Sequence, residues 1–121
     1  MPDPHLERAR RICLALPEAM EKEAWGNPTF RIRKRLFAMY HNNHHGDGRI
    51  ALWLNAPPGV QRMLVEAEPE RFFVPPYMGP SGWVGLHLDR CEDTEVEMHV
   101  LQSYRMVAPK KLLALLDGAP G

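Results

Sequence analysis

The chain has 121 residues, with 15 Lys and Arg balanced by 15 Asp and Glu, and 45% of its residues are hydrophobic. That length accommodates one core, so we expect a single domain over residues 1–121. The zero net charge argues against a strong sequence-independent nucleic-acid binder, because such proteins usually carry a basic excess. The longest apolar runs are a few residues, whereas a membrane-crossing helix needs roughly 20, so we expect no membrane contact.

The first residues and the cysteines indicate a cytoplasmic protein. Residues 1–11 contain no apolar stretch of the kind that secretory signals have. Cys13 and Cys91 lie far apart without CxxC spacing, which favours unpaired thiols in a reducing compartment.

A helix followed by strands is predicted for the first half of the chain. Asp3-Pro4 is typical of a helix start, and helical spacing predicts a helix over residues 4–16. Apolar residues then alternate from residue 18 to residue 55, which indicates strands joined as hairpins. Residues 41–48 are rich in Asn, Asp and Gly and are interpreted as a turn.

Three helices and further strands are predicted for the second half. Residues 55–58 (Asn-Ala-Pro-Pro) are expected to open a helix in which Val60, Met63, Leu64 and Ala67 recur at helical spacing and which Pro69 closes. A strand is expected over residues 83–89. Thr94 to Glu97 matches a capping box and predicts the start of a helix that runs to about residue 107. Lys110 to Leu116 is expected to form a short final helix. The order of elements predicts an α+β, two-layer sandwich: an antiparallel sheet covered on one face by helices.

Three segments carry a resemblance to a known family. Residues 23–38 read EAWGNPTFRIRKRLFA, residues 76–89 read PYMGPSGWVGLHLD, and residues 103–112 read SYRMVAPKKL. In content, order and spacing these resemble the signatures of the MmcQ/YjbR family. The resemblance implies a fold similar to the CyaY/frataxin type of α/β sandwich, described for the family as a double-wing arrangement, and a role as a DNA-binding module.

The basic residues provide a candidate nucleic-acid contact. Residues 1–40 hold eight cations and five anions, whereas residues 41–100 hold four cations and nine anions, so the charge is polarised. On a strand, alternate residues share a face, so Arg31, Arg33 and Arg35 are expected to project together toward phosphates. The candidate nucleic-acid-binding set is Arg31, Arg33, Lys34, Arg35, Lys110 and Lys111. The alternative interpretation is a charged hairpin that blocks edge-to-edge pairing of sheets.

Four aromatic residues provide a candidate ligand-binding group. These residues lie in the three family-like segments and are Trp25, Tyr77, Trp83 and Tyr104. Such side chains can line a pocket for a small molecule or a base, and they are also common in cores where their polar atom is satisfied.

The sequence favours neither a metal site nor catalysis. His41, His44 and His45 are interpreted as part of a solvated turn, because adjacent residues of an extended chain point in opposite directions. No Gly-x-Ser-x-Gly, HExxH or phosphate-binding Gly-rich motif is present. We therefore expect no metal, no cofactor and no enzymatic activity. The sequence favours a small DNA-binding or nucleic-acid-associated module, and the alternative is a small-molecule-binding or protein-interaction domain with an aromatic pocket.

Overall fold

The computed structural model describes residues 3–118 and contains, within them, four α-helices and six β-strands. The helices are α1 (Pro4–Leu14), α2 (Val60–Ala67), α3 (Asp93–Val107) and α4 (Lys110–Leu116). The strands are β1 (Met20–Ala24), β2 (Asn27–Ile32), β3 (Arg35–Asn42), β4 (Ile50–Leu54), β5 (Phe72–Phe73) and β6 (Val84–His87). They form one antiparallel sheet in the order β1-β2-β3-β4-β6-β5.

The main hydrophobic core lies between the helices and one side of the sheet, which we call the helical face. Helices α1 and α3 pack against each other and against this face. Large buried side chains of the core include Phe30, Ile32, Tyr40, Leu52, Leu54, Leu86, Val96, Val100 and Tyr104. Fully burying a side chain of this size contributes about 1.5–3 kcal/mol, so this core supplies most of the stability of the fold. The predicted α+β plan, with helices on one face of an antiparallel sheet, is confirmed.

The helix boundaries follow the sequence signals with two differences. The carboxylate of Asp3 accepts hydrogen bonds from the backbone N–H groups of His5 and Leu6, as expected for an N-cap. Helix α1 ends at Leu14, two residues before its predicted end. The predicted capping box at Thr94 is wrong, because α3 already begins at Asp93, whose carboxylate pairs with Arg8.

The opposite side of the sheet, which we call the open face, carries a second and smaller hydrophobic cluster. Its buried members are Met39, Ala51, Trp53, Phe73 and Trp83. The ring of Phe73 lies directly over Gly85, where a Cβ atom would approach the ring to 2.3 Å. A glycine is therefore required there for the edge strand to close over the cluster. None of the helices in residues 3–118 has the length and apolar character that a membrane crossing requires.

Candidate functional site

A pocket of about 580 Å³ opens on the open face of the sheet. It is bounded by the β1–β2 turn, the ends of β2 and β3, the loop after β3 and the loop before β6. Its lining residues are Trp25, Asn27, Met39, His41, Asn42, Asn43, His44, His45, Trp53, Tyr77 and Met78. This volume lies within the range of small-molecule sites, and the lining combines aromatic rings with side-chain amides.

The floor of the pocket is a stack of two rings. The centroids of His41 and Trp53 are 3.7 Å apart, with the rings tilted by 31°. His41 is 2% exposed, and neither Nδ1 nor Nε2 has a hydrogen-bond partner among residues 3–118. Burial, followed by the neighbouring His44, lowers the pKa of His41 to about 4. At neutral pH the floor is therefore an uncharged imidazole with one donor and one acceptor unused.

Two exposed aromatic residues form the rim. Trp25 and Tyr77 are each 74% exposed. Both have left-handed backbone conformations, with φ of 54° for Trp25 and 64° for Tyr77. Bulky residues rarely adopt positive φ, and such a conformation costs on the order of 1 kcal/mol or more. The chain thus holds two large, exposed rings, in an unfavourable backbone conformation, in the lining of one pocket.

The histidine loop after β3 forms one wall of the pocket, so the interpretation of His41, His44 and His45 as a solvated turn is wrong for two of them. His41 lies at the end of β3, where it continues the open face beyond Met39 and is buried. His44 is half-buried and lies between His41 and Tyr77, with ring centroids 4.5 Å and 6.3 Å away. Within residues 3–118 no three or more His, Cys, Asp or Glu side chains are grouped so as to hold a metal ion.

The structure separates the four candidate aromatic residues. Trp25 and Tyr77 line the pocket, and Trp83 is buried beside it in the cluster of the open face. Tyr104 lies on the helical face, is fully buried, and donates a hydrogen bond to the carbonyl of Pro17 at 2.6 Å. The expected grouping of Tyr104 with the others is wrong, because α3 turns its ring into the main core, where Phe37 contacts it edge-on.

The structure also separates the candidate basic residues. Arg31 pairs with Leu36 across the β2–β3 hairpin and lies on the open face, whereas Arg35 pairs with Ile32 and shares its helical face. The expectation that Arg31, Arg33 and Arg35 project together is wrong. The chain reverses at the two-residue turn of Arg33 and Lys34, and this reversal changes the alternation of faces.

A second concave region lies at the end of the sheet near this turn. Arg33 and Arg35 line a shallow groove of about 240 Å³ together with Val107, Ala108 and Pro109. Lys110 and Lys111 follow directly as the exposed first residues of α4. Arg33 makes a 3.5 Å ion pair with Glu18, an exposed contact that contributes little. Five of the six candidate cations are thus near this groove, and Arg31 is not.

Sequence reasoning missed the floor of the pocket. Neither His41 nor Trp53 belongs to a recognisable sequence motif. Strand alternation is the signal that could have identified them, because His41 lies on the same face of β3 as Met39. Their contact depends on the pairing of β3 with β4, in which Met39 lies opposite Trp53 and His41 lies opposite Ala51. That register is a tertiary property, and composition does not specify it.

Comparisons with known proteins bear on the whole chain. A family model described as YjbR matches residues 14–106. The crystal structure of the Deinococcus radiodurans protein DR2400, with family-model domain DUF419, is similar with a TM-score of 0.73 and 20% sequence identity, and the match covers 99% of this chain and 94% of that chain. At this identity the likeness shows a shared fold. No curated protein matches the chain.

Proposed function

The chain belongs to the YjbR family, and from that premise we propose that it is a non-enzymatic binding protein whose pocket on the open face takes a planar aromatic ring. The observation that carries the proposal is the pair Trp25 and Tyr77, each 74% exposed at the rim of the 580 Å³ pocket. Two exposed aromatic rings in the lining of one pocket are suited to stack on a flat ligand, because ring stacking and the removal of apolar surface from water both favour it.

The backbone strain at the rim supports a binding role. Trp25 occupies the first position of the two-residue β1–β2 turn, where Asn, Asp or Gly is preferred. A tryptophan at this position exposes a large apolar side chain to water, and its turn propensity is also unfavourable. Strained conformations of this kind persist at ligand clamps, where the placement of a side chain matters more than local stability.

The titratable groups support binding rather than covalent chemistry. Burial raises the pKa of Cys91 to about 11 and raises the pKa of Cys13 still further, so both thiols stay protonated at neutral pH and are poor nucleophiles. Both cysteines are unpaired, which accords with the proposed cytoplasmic location. His41 is neutral and is buried against Trp53, so it supports the pocket as part of its floor and is not placed to act on a substrate.

A thermal-shift screen against ribonucleosides and heteroaromatic metabolites tests the proposal. A compound that binds only the folded protein raises the midpoint, and calorimetry then measures its affinity. Trp25→Asn and Tyr77→Asn should each weaken binding about tenfold, since stacking of one base contributes about 1–3 kcal/mol. Asn is used because it tolerates positive φ. The matched control is Met98→Ala, which removes an exposed apolar side chain from α3.

Two outcomes would reject the pocket as a binding site. The first is that no compound in the screen raises the midpoint. The second is that Trp25→Asn and Tyr77→Asn both bind a hit as tightly as the unmodified protein, which would place the compound elsewhere.

The groove near the β2–β3 turn supports a second candidate function, contact with duplex DNA. Arg33, Lys34, Arg35, Lys110 and Lys111 supply cations around it, and the last four make no ion pair within residues 3–118. Binding at this groove should be weak and should fall steeply with salt. Lys110→Gln combined with Lys111→Gln should weaken it across sequences and reduce the salt slope by about two. Unchanged binding in this variant, or none at low salt in the unmodified protein, would reject the candidate.

A further inference from the structure

We propose that the ligand of the pocket is a nucleotide, with its base between Trp25 and Tyr77 and its phosphate on Arg31. This inference rests on the proposed function of the pocket as a site for a planar ring. Its basis is the position of one arginine that the sequence assigned to a different surface.

Arg31 lies beside the pocket rather than with the other cations of its hairpin. Its guanidinium carbon is 5.9 Å from the centroid of the Trp25 ring, and its Nε donates to Thr29 Oγ1 at 3.1 Å. Both contacts orient the guanidinium at the rim. The two terminal nitrogens make no hydrogen bond and no ion pair within residues 3–118, so their donors are available to an anion.

The charge around the pocket favours an anionic ligand. The lining residues include no Asp or Glu, and the nearby carboxylate of Asp47, whose charge acts on His41 and His44, pairs with Arg49 at 3.9 Å. Lys22 lies on the open face of β1, opposite Thr29, and is exposed. The next pair of residues on this face of the two strands is Met20 and Arg31. The carboxylates of β1 point the other way, and Glu21 pairs with Arg10 of α1. Arg31 and Lys22 thus present two cations to one side of the pocket with no carboxylate between them.

The polar part of the lining favours a nucleobase over a plain aromatic ring. Asn27, Asn42 and Asn43 line the pocket, where the Nδ2 of Asn42 donates to the carboxylate of Asp3 at 3.4 Å and the Oδ1 of Asn43 accepts from the backbone N–H of Gly48 at 2.7 Å. The Oδ1 of Asn42 and the Nδ2 of Asn43 make no hydrogen bond within residues 3–118. The Nδ2 of Asn27 is held by the carbonyl of Trp25 at 3.0 Å, which leaves its oxygen free to accept. Base edges carry donors and acceptors side by side, so they match such a lining. The planar guanidinium matches a phosphate through two parallel hydrogen bonds.

Calorimetry with the four ribonucleosides and their 5′-monophosphates tests the inference. The proteins are the unmodified chain, Arg31→Gln, Arg31→Lys and Arg35→Gln, the last being the matched control from the opposite face of the same hairpin. We expect a monophosphate to bind about tenfold tighter than its nucleoside, and Arg31→Gln to remove that difference. Arg31→Lys should keep part of that difference, because lysine retains the positive charge but lacks the two parallel N–H donors of the guanidinium. Arg35→Gln should keep all of it.

The nucleoside serves as an internal control for the fold of each variant. If Arg31→Gln binds the nucleoside normally and loses only the phosphate advantage, the inference holds. If nucleoside and monophosphate bind equally to the unmodified protein, the inference is wrong and the proposed function stands. If neither binds, the inference is wrong, and the heteroaromatic metabolites of the thermal-shift screen then decide the proposed function. If the phosphate advantage survives Arg31→Gln and disappears in Arg35→Gln, the phosphate lies at the groove and the inference is wrong.

The nucleotide could be free or part of a single strand, and the same variants distinguish these sources. A short single-stranded oligonucleotide that binds tighter per mole than the monophosphate, with Trp25→Asn and Arg31→Gln both weakening it, assigns the site to single-stranded nucleic acid. Equal affinities for the oligonucleotide and the monophosphate assign it to a free nucleotide. Tighter binding of the matching duplex than of the single strand would contradict the inference, since paired bases cannot enter the pocket.

Discussion

The two turns that flank strand β2 share a left-handed backbone conformation, but one carries an aromatic side chain and the other carries two cationic side chains. The β1–β2 turn consists of Trp25 and Gly26, and the β2–β3 turn consists of Arg33 and Lys34. All four residues have positive φ, which a two-residue turn of this kind requires. One turn presents an aromatic ring to the pocket, and the other presents cations to the groove near α4.

Neither turn has the residues that would make it most stable. Asn-Gly is the preferred pair at such turns, and the chain instead has Trp-Gly at one end of β2 and Arg-Lys at the other. The six residues of β2 keep the two turns about 20 Å apart. The aromatic and the cationic side chains therefore form two separate surfaces, and among the cations of residues 31–35 Arg31 lies beside the aromatic surface.

The largest expected effect is a response to pH at the aromatic end. The pKa of His41 lies near 4 in the folded protein and near 6.5 when unfolded, so the unfolded state binds more protons as the pH falls through this window. Stability should therefore decrease from pH 6.5 to pH 4, by on the order of 3 kcal/mol from His41. His44 and His45 oppose protonation of His41, and Asp47 favours it.

Urea unfolding at a series of pH values measures this response. His41→Phe, which can still stack on Trp53, should reduce the slope over the window between the two pKa values. The remaining slope comes from His44, His87 and His99, whose pKa values burial also lowers. The double variant Arg33→Asn with Lys34→Gly should keep the full slope, because it leaves every histidine in place. Identical profiles for His41→Phe and the unmodified protein would show that His41 is not the titrating group.

Trp25→Asn should separate binding from stability. Ligand affinity should fall about tenfold through loss of the stacked ring. The free energy of unfolding should stay within about 1 kcal/mol of the unmodified protein, because relief of the strained turn offsets loss of the contact with Arg31. Calorimetry and urea unfolding of the same preparation measure both quantities. A parallel loss of affinity and stability would mean that Trp25 is structural.

At the basic turn, Arg33→Asn combined with Lys34→Gly should raise the free energy of unfolding by about 1 kcal/mol, because Asn-Gly suits two left-handed residues. The exposed pair of Arg33 with Glu18 contributes little to oppose this gain. Duplex DNA binding, where present, should weaken, and nucleoside binding should not change. A decrease in stability would refute the view that this turn gives up stability to present charge.

The smallest effect is expected for Arg35→Gln. Its side chain is exposed and makes no ion pair within residues 3–118, so stability should change by less than about 0.5 kcal/mol. The salt slope of duplex binding should decrease by about one. A change in the affinity of the pocket for a nucleoside would contradict the separation of the two surfaces.

The fold could be predicted closely, since helical spacing, strand alternation and proline positions are local signals. The predicted final helix matches α4, and the second helix lies where Val60, Met63 and Leu64 indicated. The candidate site could be predicted only in part. The sequence identifies Trp25 and Tyr77, whereas it places His41 in a solvated turn and groups Tyr104 with a pocket that its side chain does not reach.

The sequence by itself determined the order of the elements, the amphipathic helices and the presence of aromatic and basic residues in the first hairpins. Tertiary structure alone decided which of these residues meet. A two-residue turn reverses the alternation of faces, so Arg31 and Arg35 point to opposite sides of the sheet although four positions separate them. Strand pairing then stacks His41 on Trp53 and opens a pocket beside them, because such contacts depend on register between residues that are distant in the chain.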